Sequence, residues 1–391
     1  MRFLSLFFIT ILISLFSMTT PFVFTDSSRP ILIKVYGGDD DGGDDDGGDD
    51  DGSDDDRSSR RTFNFNNDDR NLKRLLDLLL QDRANDDNLV PDAEPKTYNG
   101  FGLEDDEDKS NKDFNIATAG DFGCSTNAKK TVNNMEDKKP ELVLPLGDLS
   151  YQTTANCWFD MMIPLKGKIM MTFGYHDVED GASKMDQYIN GFEIDKHYYS
   201  YDYRKVHILV MASESKFENG SDQYKFVKQD LEKASKDKNI DWIIVTIYRP
   251  LYSSPSKHTG EESIRDLYHP LFDKNGVDLV LQAHNHNYQR TYPLTFNPDI
   301  PSEPIITNGF TTGYNSHTDG VIFATVGTGG ESFYSLDGRA PFMATQLDRF
   351  GFLNLEIKNG NPHTTLTGTF FDNKGDEIND YFTIKKEINN N

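Results

Sequence analysis

Two histidines, one residue apart, follow an apolar run of strand type in the last third of the chain. Residues 279–281 lead directly into Ala283, His284, Asn285 and His286. In open α/β sheets, ligands bind at the carboxyl ends of the strands. A His-x-His pair lets both imidazoles reach one metal site, or two adjacent sites, from a short loop. Taken alone the pair is a weak signal, because histidines also occur on ordinary surfaces.

Four other apolar runs are also followed by side chains that can bind a metal, so the histidine pair is not an isolated signal. They lead, in chain order, into Asp121, into Asp148 with Tyr151, into His176 with Asp177, and into Tyr248. Any one of these could be a plain turn, but five in order are hard to assign to chance. Carboxylate and phenolate oxygens together with imidazoles suit Fe, Mn or Zn. The strand ends therefore predict a metal site in one crevice.

The elements that must position these residues begin at Asp113. Buried strands are predicted at residues 115–118, 142–146, 169–173, 206–210, 242–247, 279–281, 321–326 and 352–357. Helical patterns lie between several of them. One covers 222–236, with Ser221 as N-cap, and another covers 264–274, where Pro270 should kink or divide it. Alternating strands and helices predict an α/β domain with mixed sheets over residues 113–391.

Composition limits the partners and the location of the chain. It has 391 residues, 36% hydrophobic and 27% charged, and a net charge of −24, which argues against nucleic acid as a partner. Residues 1–20 have the form of a signal peptide, so we expect a secreted or endo-lysosomal protein. The alternative is an uncleaved anchor, although its apolar run is short for the roughly 20 residues that span a bilayer. We predict no stable membrane span.

Residues 21–112 are predicted to lie outside the folded domain. Residues 37–56 repeat two small residues and three Asp, and supply half of the net charge. Glycine entropy and Asp repulsion favour a solvated spacer, with a Ca²⁺ or basic-partner tether as the alternative. Leucines at helical spacing predict an amphipathic helix over 68–83. Residues 86–112 are polar and contain Pro and Gly, so we predict a linker.

The order and identity of the polar groups resemble a known family. Asp-x-Gly at 121–123, Gly-Asp-x-x-Tyr at 147–151, and His-x-His at 284–286 are similar to the ligand motifs of purple acid phosphatases, which are calcineurin-like metallophosphoesterases. The similarity extends over roughly residues 113–384 and includes the segments 286–293, 326–331 and 350–352. It implies a four-layer α/β/β/α sandwich, two adjacent metal ions, and hydrolysis of phosphomonoesters by metal-bound hydroxide.

Carried over by position, the resemblance implies a complete first site, which holds iron in the family. Its ligands would be Asp121, Asp148, Tyr151 and His286. The second site, for Zn, Mn or Fe, would use Asp148, an Asn, a His and His284. Here Tyr175 stands in place of the Asn and Tyr248 in place of the His. A neutral phenol is a poor ligand for a divalent ion, so occupancy of the second site is in doubt.

Other groups in the motifs would act on the substrate. By resemblance, His176 contacts phosphate and protonates the leaving group, and His258 faces the substrate, a phosphate-ester small molecule or a phosphoprotein. Cys124 and Cys157 are candidates for one disulfide in a secreted chain, with two buried thiols as the alternative. The sequon at 219–221 is consistent with glycosylation.

Three hypotheses for function follow from these observations. The first is a catalytically impaired phosphatase, a pseudoenzyme, in which Tyr175 and Tyr248 have removed second-metal ligands. The second is an active acid phosphatase with a rearranged or single-metal site, which the intact first site favours. The third is an extracellular interaction protein that acts through its acidic tract.

Overall fold

The computed structural model describes residues 22–26, 29–33, 96–98, 100–103, 112–179, 182–194, 196–375 and 378–387. The chain divides into two compact units, residues 1–81 and 82–391. In the first unit, strands β1 (Phe22–Asp26) and β2 (Arg29–Ile33) pair antiparallel. The predicted signal peptide, acidic tract and amphipathic helix lie outside the described residues.

The second unit alternates strands and helices in its first half and is mainly strand in its second half. Its strands are β3 (Phe114–Ala119), β4 (Leu142–Pro145), β5 (Tyr199–Tyr203), β6 (Val206–Val210), β7 (Trp242–Thr246), β8 (Leu279–Gln282), β9 (Tyr288–Thr291), β10 (Leu294–Thr295), β11 (Ile305–Ile306), β12 (Gly313–Asn315), β13 (Ile322–Val326), β14 (Met343–Leu347), β15 (Gly351–Lys358), β16 (His363–Asp372) and β17 (Ile378–Glu387).

The helices of this unit are short. They are α1 (Thr126–Asp137), α2 (Asn156–Met162), α3 (Tyr175–Glu179), α4 (Ala182–Phe192), α5 (Asp222–Ala234), α6 (Glu262–Asn275) and α7 (Ser316–Asp319), with a 3₁₀ turn at Ile163–Leu165. Among the helices in the described ranges, none combines the length and the apolar character needed to cross a membrane.

Two mixed sheets form the centre of the second unit. One has six strands in the order β12-β17-β16-β15-β3-β4, and the other has seven in the order β14-β9-β13-β8-β7-β6-β5. Strands β6, β7, β8 and β13 run parallel in the second sheet, and β3 and β4 run parallel in the first. Parallel strands place their carboxyl ends along one edge, and this edge is where the polar loops emerge.

Helices cover the outer faces of both sheets. Residues of the two sheets, such as Leu355 and Leu281, share one buried core between them. A second core lies on the other side of the seven-stranded sheet, where Leu231 of α5 and Phe272 of α6 are fully buried. Helix α1 packs against β15 of the six-stranded sheet. The predicted four-layer α/β/β/α sandwich with mixed sheets is therefore confirmed.

Two predicted elements differ from the structure. The segment predicted as a strand at residues 169–173 forms only isolated bridges, in which Ile169 pairs with Gly102 and Val143. Helix α6 is one element from Glu262 to Asn275, so Pro270 does not divide it. Its buried face, which includes Tyr268 and Phe272, packs on the sheet, and this packing compensates for the backbone hydrogen bond that proline cannot make.

Part of the predicted linker packs into the domain. The Tyr98 ring stacks on Phe159 with centroids 4.3 Å apart, and Phe101 is 2% exposed in the core between the sheets. Gln187 donates to the Lys96 carbonyl at 2.8 Å. The proposed boundary at Asp113 remains a prediction, but the packed part of the chain begins before it.

A disulfide joins Cys124 to Cys157. Cys124 follows the loop after β3, and Cys157 lies in α2 after the loop that follows β4. The bond therefore ties together the two loops that carry Asp121, Asp148 and Tyr151. Of the two alternatives for the cysteines, the disulfide is the one the structure contains.

His207 in β6 is held between two carboxylates. Its Nδ1 lies 2.7 Å from Asp202 Oδ1, and its Nε2 lies 2.8 Å from Asp230 Oδ2, which joins β5, β6 and α5. Burial lowers the pKa of the His207 imidazole, but the hydrogen bonds and charges of Asp230 and Asp202 outweigh it, and the net pKa is raised.

We predict that this contact gives the fold a pH-dependent stability. A raised pKa in the folded state stabilises the protein fully below the unfolded pKa of about 6.5, and this contribution disappears as pH rises through the folded pKa. His207→Gln should lower the unfolding free energy by about 1–2 kcal/mol at pH 5.5 and by progressively less at pH 8 to 9. Urea denaturation of both proteins at each pH measures the difference, and an equal loss at both pH values would contradict the assignment.

Candidate active site

The loops after β3, β4, β7 and β8 and helix α3 meet at one edge of the sheets. Three residues in these loops have a left-handed backbone: Asp121 (φ 54°), Asp148 (φ 49°) and His284 (φ 70°). Residues other than glycine rarely adopt this conformation, and it concentrates at functional sites because the surrounding structure must compensate for its cost. All three were predicted as metal ligands from the sequence.

Two glycines allow the loops of the site to approach one another closely. A Cβ on Gly327 would lie 2.5 Å from Asp121 Oδ2 and would also collide with the Asn285 carbonyl oxygen. A Cβ on Gly174 would overlap the Asp148 carboxylate. These two positions need the absence of a side chain because backbone from a neighbouring loop passes directly against them.

The predicted first-site residues are brought together around the Tyr151 hydroxyl. This oxygen lies 3.3 Å from Asp121 Oδ1, 3.2 Å from Asp148 Oδ2 and 3.0 Å from His286 Nε2. Both carboxylates also accept a backbone N–H: His284 N donates to Asp121 at 2.9 Å, and His176 N donates to Asp148 at 2.8 Å. The four side chains therefore form one connected cluster.

His286 is oriented as a metal-binding imidazole would be. Its Nδ1 lies 2.7 Å from the Ser332 carbonyl and must donate to it, so Nε2 is the nitrogen with a lone pair directed at the cluster. The ring stacks on Tyr334 with centroids 3.9 Å apart. Burial lowers the pKa of His286 to about 3, so the imidazole is neutral, as a ligand must be.

The electrostatics of the cluster favour a cation. Burial raises the pKa of Asp121 well above its usual range, and the charge of Asp148 raises it further. Burial also raises the pKa of Asp148, although the charge of His176 opposes this. Two buried carboxylates side by side are costly when ionised, and a bound cation removes that cost. Two carboxylates, a phenol and a neutral imidazole fit a hard ion such as Fe³⁺.

The predicted second-site residues are arranged differently. The Tyr248 hydroxyl hydrogen-bonds to Asp148 Oδ2 and lies 2.7 Å from His284 Nδ1, so it lies between the two remaining predicted ligands. Tyr248 is 1% exposed. Burial is the main cause that lowers the pKa of His284 to about 2, and the charge of the nearby His258 is the next largest cause. Tyr175, by contrast, is 42% exposed at the mouth of the site.

The two predicted substrate-contacting histidines line the same cavity. The His176 ring lies 4.4 Å from the Tyr151 ring, measured between centroids. The His258 ring stacks on His284 with centroids 3.7 Å apart. Burial, followed by the charges of Lys257 and Arg249, lowers the pKa of His258 to about 4, so it is a neutral donor or acceptor.

A cavity of about 550 Å³ opens above the cluster. It is lined by acidic, cationic and aromatic side chains, namely Asp148, Tyr151, Tyr175, His176, Tyr248, Arg249, Lys257, His258, His284, His286, Glu331, Ser332 and Tyr334. The Lys257 ammonium lies 4.5 Å above the Tyr334 ring, and Arg249 donates to Glu214 at 2.6 Å. Cationic groups are thus held at the wall of the cavity, where an anionic ligand would meet them.

Two buried residues that position the site, Asn285 and Asp177, were named in the sequence motifs but were given no role there. Asn285 donates to the His258 carbonyl at 2.8 Å and accepts from the His258 N–H at 3.1 Å, so its amide fixes the loop that carries His258. Asp177 accepts from Leu149 N and Gly174 N at 3.0 and 2.9 Å, and burial and the charge of Asp148 raise its pKa to about 7. Both residues lie next to a motif histidine, and this proximity in the sequence is the pattern that indicates them.

The carboxylates and imidazoles do not by themselves surround a common point. In the part of the chain that the structure describes, no group of three or more His, Cys, Asp and Glu side chains is placed to hold a metal ion. Asp121 Oδ1 and His286 Nε2 are 3.6 Å apart, with the Tyr151 hydroxyl beside both. The phenol hydroxyls of Tyr151 and Tyr248 therefore connect the ligand-type groups.

Comparison with known proteins finds similarity to phosphoesterases. Residues 114–288 match the calcineurin-like phosphoesterase family. Purple acid phosphatase 22 of Arabidopsis thaliana is 29% identical over 209 residues, which are 49% of this chain and 48% of that protein. A nucleotide pyrophosphatase/phosphodiesterase of Hordeum vulgare is 28% identical over 229 residues, 55% of this chain and 59% of that protein. The chain spans about half the length of the curated relatives it matches.

Solved structures share the fold. The purple acid phosphatase PPD1 from yellow lupin (Lupinus luteus) seeds superposes with a TM-score of 0.59 at 21% identity, over 71% of this chain and 55% of that one. GAP50, the anchor in the inner membrane complex of Plasmodium, superposes with a TM-score of 0.52 at 16% identity, over 69% and 88%. The chain contains a calcineurin-like metallophosphoesterase domain. Its homologues include purple acid phosphatases.

The tight approach at Gly327 leads to a prediction about stability. Gly327→Ala should lower the unfolding free energy by about 1–3 kcal/mol, because the new methyl group forces apart the loops that carry Asp121 and Asn285. Gly309→Ala is the matched control: a Cβ there meets no atom within 4 Å, and its effect should stay within about 0.5 kcal/mol. Chemical denaturation measures both, and a Gly327 variant as stable as the control would contradict the prediction.

Proposed function

We propose that the domain binds phosphate monoesters in the 550 Å³ cavity and hydrolyses them poorly because its second metal site is impaired. The observation that carries this proposal is the position of the Tyr248 hydroxyl, which contacts both Asp148 and His284. A divalent ion needs those two groups as ligands, and the phenol already engages both. Loss of one ion from a two-metal hydrolase removes part of the clamp on the attacking and leaving oxygens.

The chain's own residues have separate roles in this proposal. Asp121, Asp148, Tyr151 and His286 would hold iron, which supplies Lewis-acid chemistry when bound. His176 would contact the phosphate and give a proton to the leaving oxygen, a role supported by its place on the cavity wall beside Tyr151. Neutral His258 and the cationic Lys257 would orient the anionic ester, which can be a small molecule or a phosphoprotein.

Secretion, or delivery to an endo-lysosomal compartment, completes the proposal. The Cys124–Cys157 disulfide supports an oxidising environment, since such bonds persist in secreted proteins. The sequon at Asn219 supports glycosylation because it lies in an exposed loop just before α5. An acidic compartment would also suit the contacts of His207 with its two carboxylates, which are strongest below its raised pKa.

A second candidate is an active acid phosphatase with a rearranged or single-metal site. It is favoured by the first-site cluster, whose residues all meet at the Tyr151 hydroxyl, and by His176 beside it. A complete first site and a general acid would support some turnover. The two candidates therefore differ in rate and in metal content rather than in substrate class.

Restoring the missing ligands tests the proposal. We expect the Tyr175→Asn/Tyr248→His double variant to hydrolyse p-nitrophenyl phosphate at acidic pH at least about 100-fold faster than the unmodified protein, and to bind a second metal per chain. The physical reason is that the introduced imidazole and amide would supply a nitrogen and an oxygen donor where phenols now stand. Turnover and metal per chain are measured on the same preparations.

Tyr248→Phe serves as the matched control for this experiment. It removes the hydroxyl without adding a ligand, so it should not raise turnover. Two metals per chain and robust turnover in the unmodified protein would refute impairment and support the second candidate.

A further inference from the structure

Two phenol hydroxyls meet at one carboxylate oxygen. Tyr151 OH lies 3.2 Å from Asp148 Oδ2, and Tyr248 OH hydrogen-bonds to the same atom. The resemblance assigned a metal only to Tyr151, yet Tyr248 also contacts this oxygen. Both rings are buried, at 8% and 1% exposure.

The contacts continue symmetrically to the two histidines of the His-x-His loop. Tyr151 OH lies 3.0 Å from His286 Nε2, and Tyr248 OH lies 2.7 Å from His284 Nδ1. The resulting chain of atoms runs from one imidazole through a phenol, the Asp148 carboxylate and the second phenol to the other imidazole. Each atom in it is a potential donor to a metal ion.

The fold fixes the Tyr248 ring in this position. A Cβ on Gly147 or Gly174 would lie 2.8 or 2.9 Å from Tyr248 Cδ2, so the ring occupies a slot that two glycines leave open. The Ala283 N–H donates to the Tyr248 carbonyl at 2.9 Å, which ties its backbone to the loop of His284. The ring is confined beside these two glycines and its backbone is hydrogen-bonded, and in this position its hydroxyl contacts Asp148.

We propose that Tyr248 is a second phenolate ligand of a single ferric ion, bound together with Asp121, Asp148, Tyr151 and His286. Hard trivalent iron favours anionic oxygen donors, and two phenolates with two carboxylates would supply four. Each phenol releases its proton to solvent on binding, so no other reactant is needed. This inference rests on the proposed iron site but not on the proposed loss of turnover.

The competing interpretation is that Tyr248 only fills the space of the second ion. In that case its hydroxyl hydrogen-bonds to Asp148 and His284 whether or not iron is present. The two interpretations differ in the number of phenolates per iron, a quantity that visible absorption reports, because phenolate-to-iron charge transfer colours the protein in proportion to the phenolates bound.

The test uses the full chain produced in a secretory host, stripped of metal and then loaded with one equivalent of ferric citrate. The unmodified protein should develop a visible phenolate-to-iron band and phenolate vibrations in the resonance Raman spectrum. In Tyr248→Phe the band per bound iron should fall by roughly half, because one of two phenolates is lost. Tyr151→Phe should lose a similar share, and the double variant should show no band.

Controls keep the result independent of folding and of turnover. Tyr175→Phe removes a phenol that is 42% exposed in the same cavity and should leave the band unchanged. Tyr248→His also removes the phenol while keeping a polar ring, so it should reproduce the loss even if the Phe variant folds poorly. Thermal melts without iron check folding.

Failure of this inference differs from failure of the proposed function. A full band per iron in Tyr248→Phe would overturn the second phenolate alone, whereas no ferric band in the unmodified protein would overturn the proposed iron site together with it. Two metals per chain and rapid turnover would instead overturn impairment, and these are measured without reference to the band.

Discussion

The burial of two carboxylates side by side is the constraint on which the rest of the site depends. Asp121 and Asp148 are almost completely removed from solvent. An ionised carboxylate is stable in that position only if hydrogen bonds or cations compensate for its lost hydration. The backbone N–H groups of His284 and His176 each donate to one of them. The left-handed conformations and the glycine contacts in the loops follow from this need, because they bring those N–H groups into range.

Because of this constraint, the motif residues can keep their positions in the fold even where the site does not catalyse a reaction. Backbone donors and the Tyr151 hydroxyl contact the carboxylates, and these contacts use no side chain that belongs only to the predicted second site. Asp177 reinforces the arrangement by accepting from the backbone of both Leu149 and Gly174. A motif that is structurally self-supporting can be retained for the fold alone, and activity must be judged from the ligands at each metal position.

Sequence patterns predicted the parts of the molecule that depend on local chemistry. Strand β6 was predicted at its observed bounds because a strand buried on both faces is a continuous apolar run. The run at 169–173 is similarly apolar but forms only bridges, since pairing depends on where neighbouring segments lie. Tyr98 and Phe101 were missed because isolated aromatics in a polar stretch have no periodicity. The role of Asn285 depends on the path of the loop of His258, which no local pattern encodes.

The two tyrosines that replace expected ligands have different physical meanings. Tyr175 is 42% exposed, so its hydroxyl is accessible to water, and its ring lines the cavity. Tyr248 is buried among anionic groups, and burial followed by the charge of Asp148 raises its pKa well above the usual value. The proposed ferric ligation would require this phenol to give up its proton to solvent on binding the cation. In the two proposals above, Tyr248 would weaken a divalent site and add an anionic oxygen donor to a trivalent one, so position 248 is where the metal chemistry of the domain is to be tested.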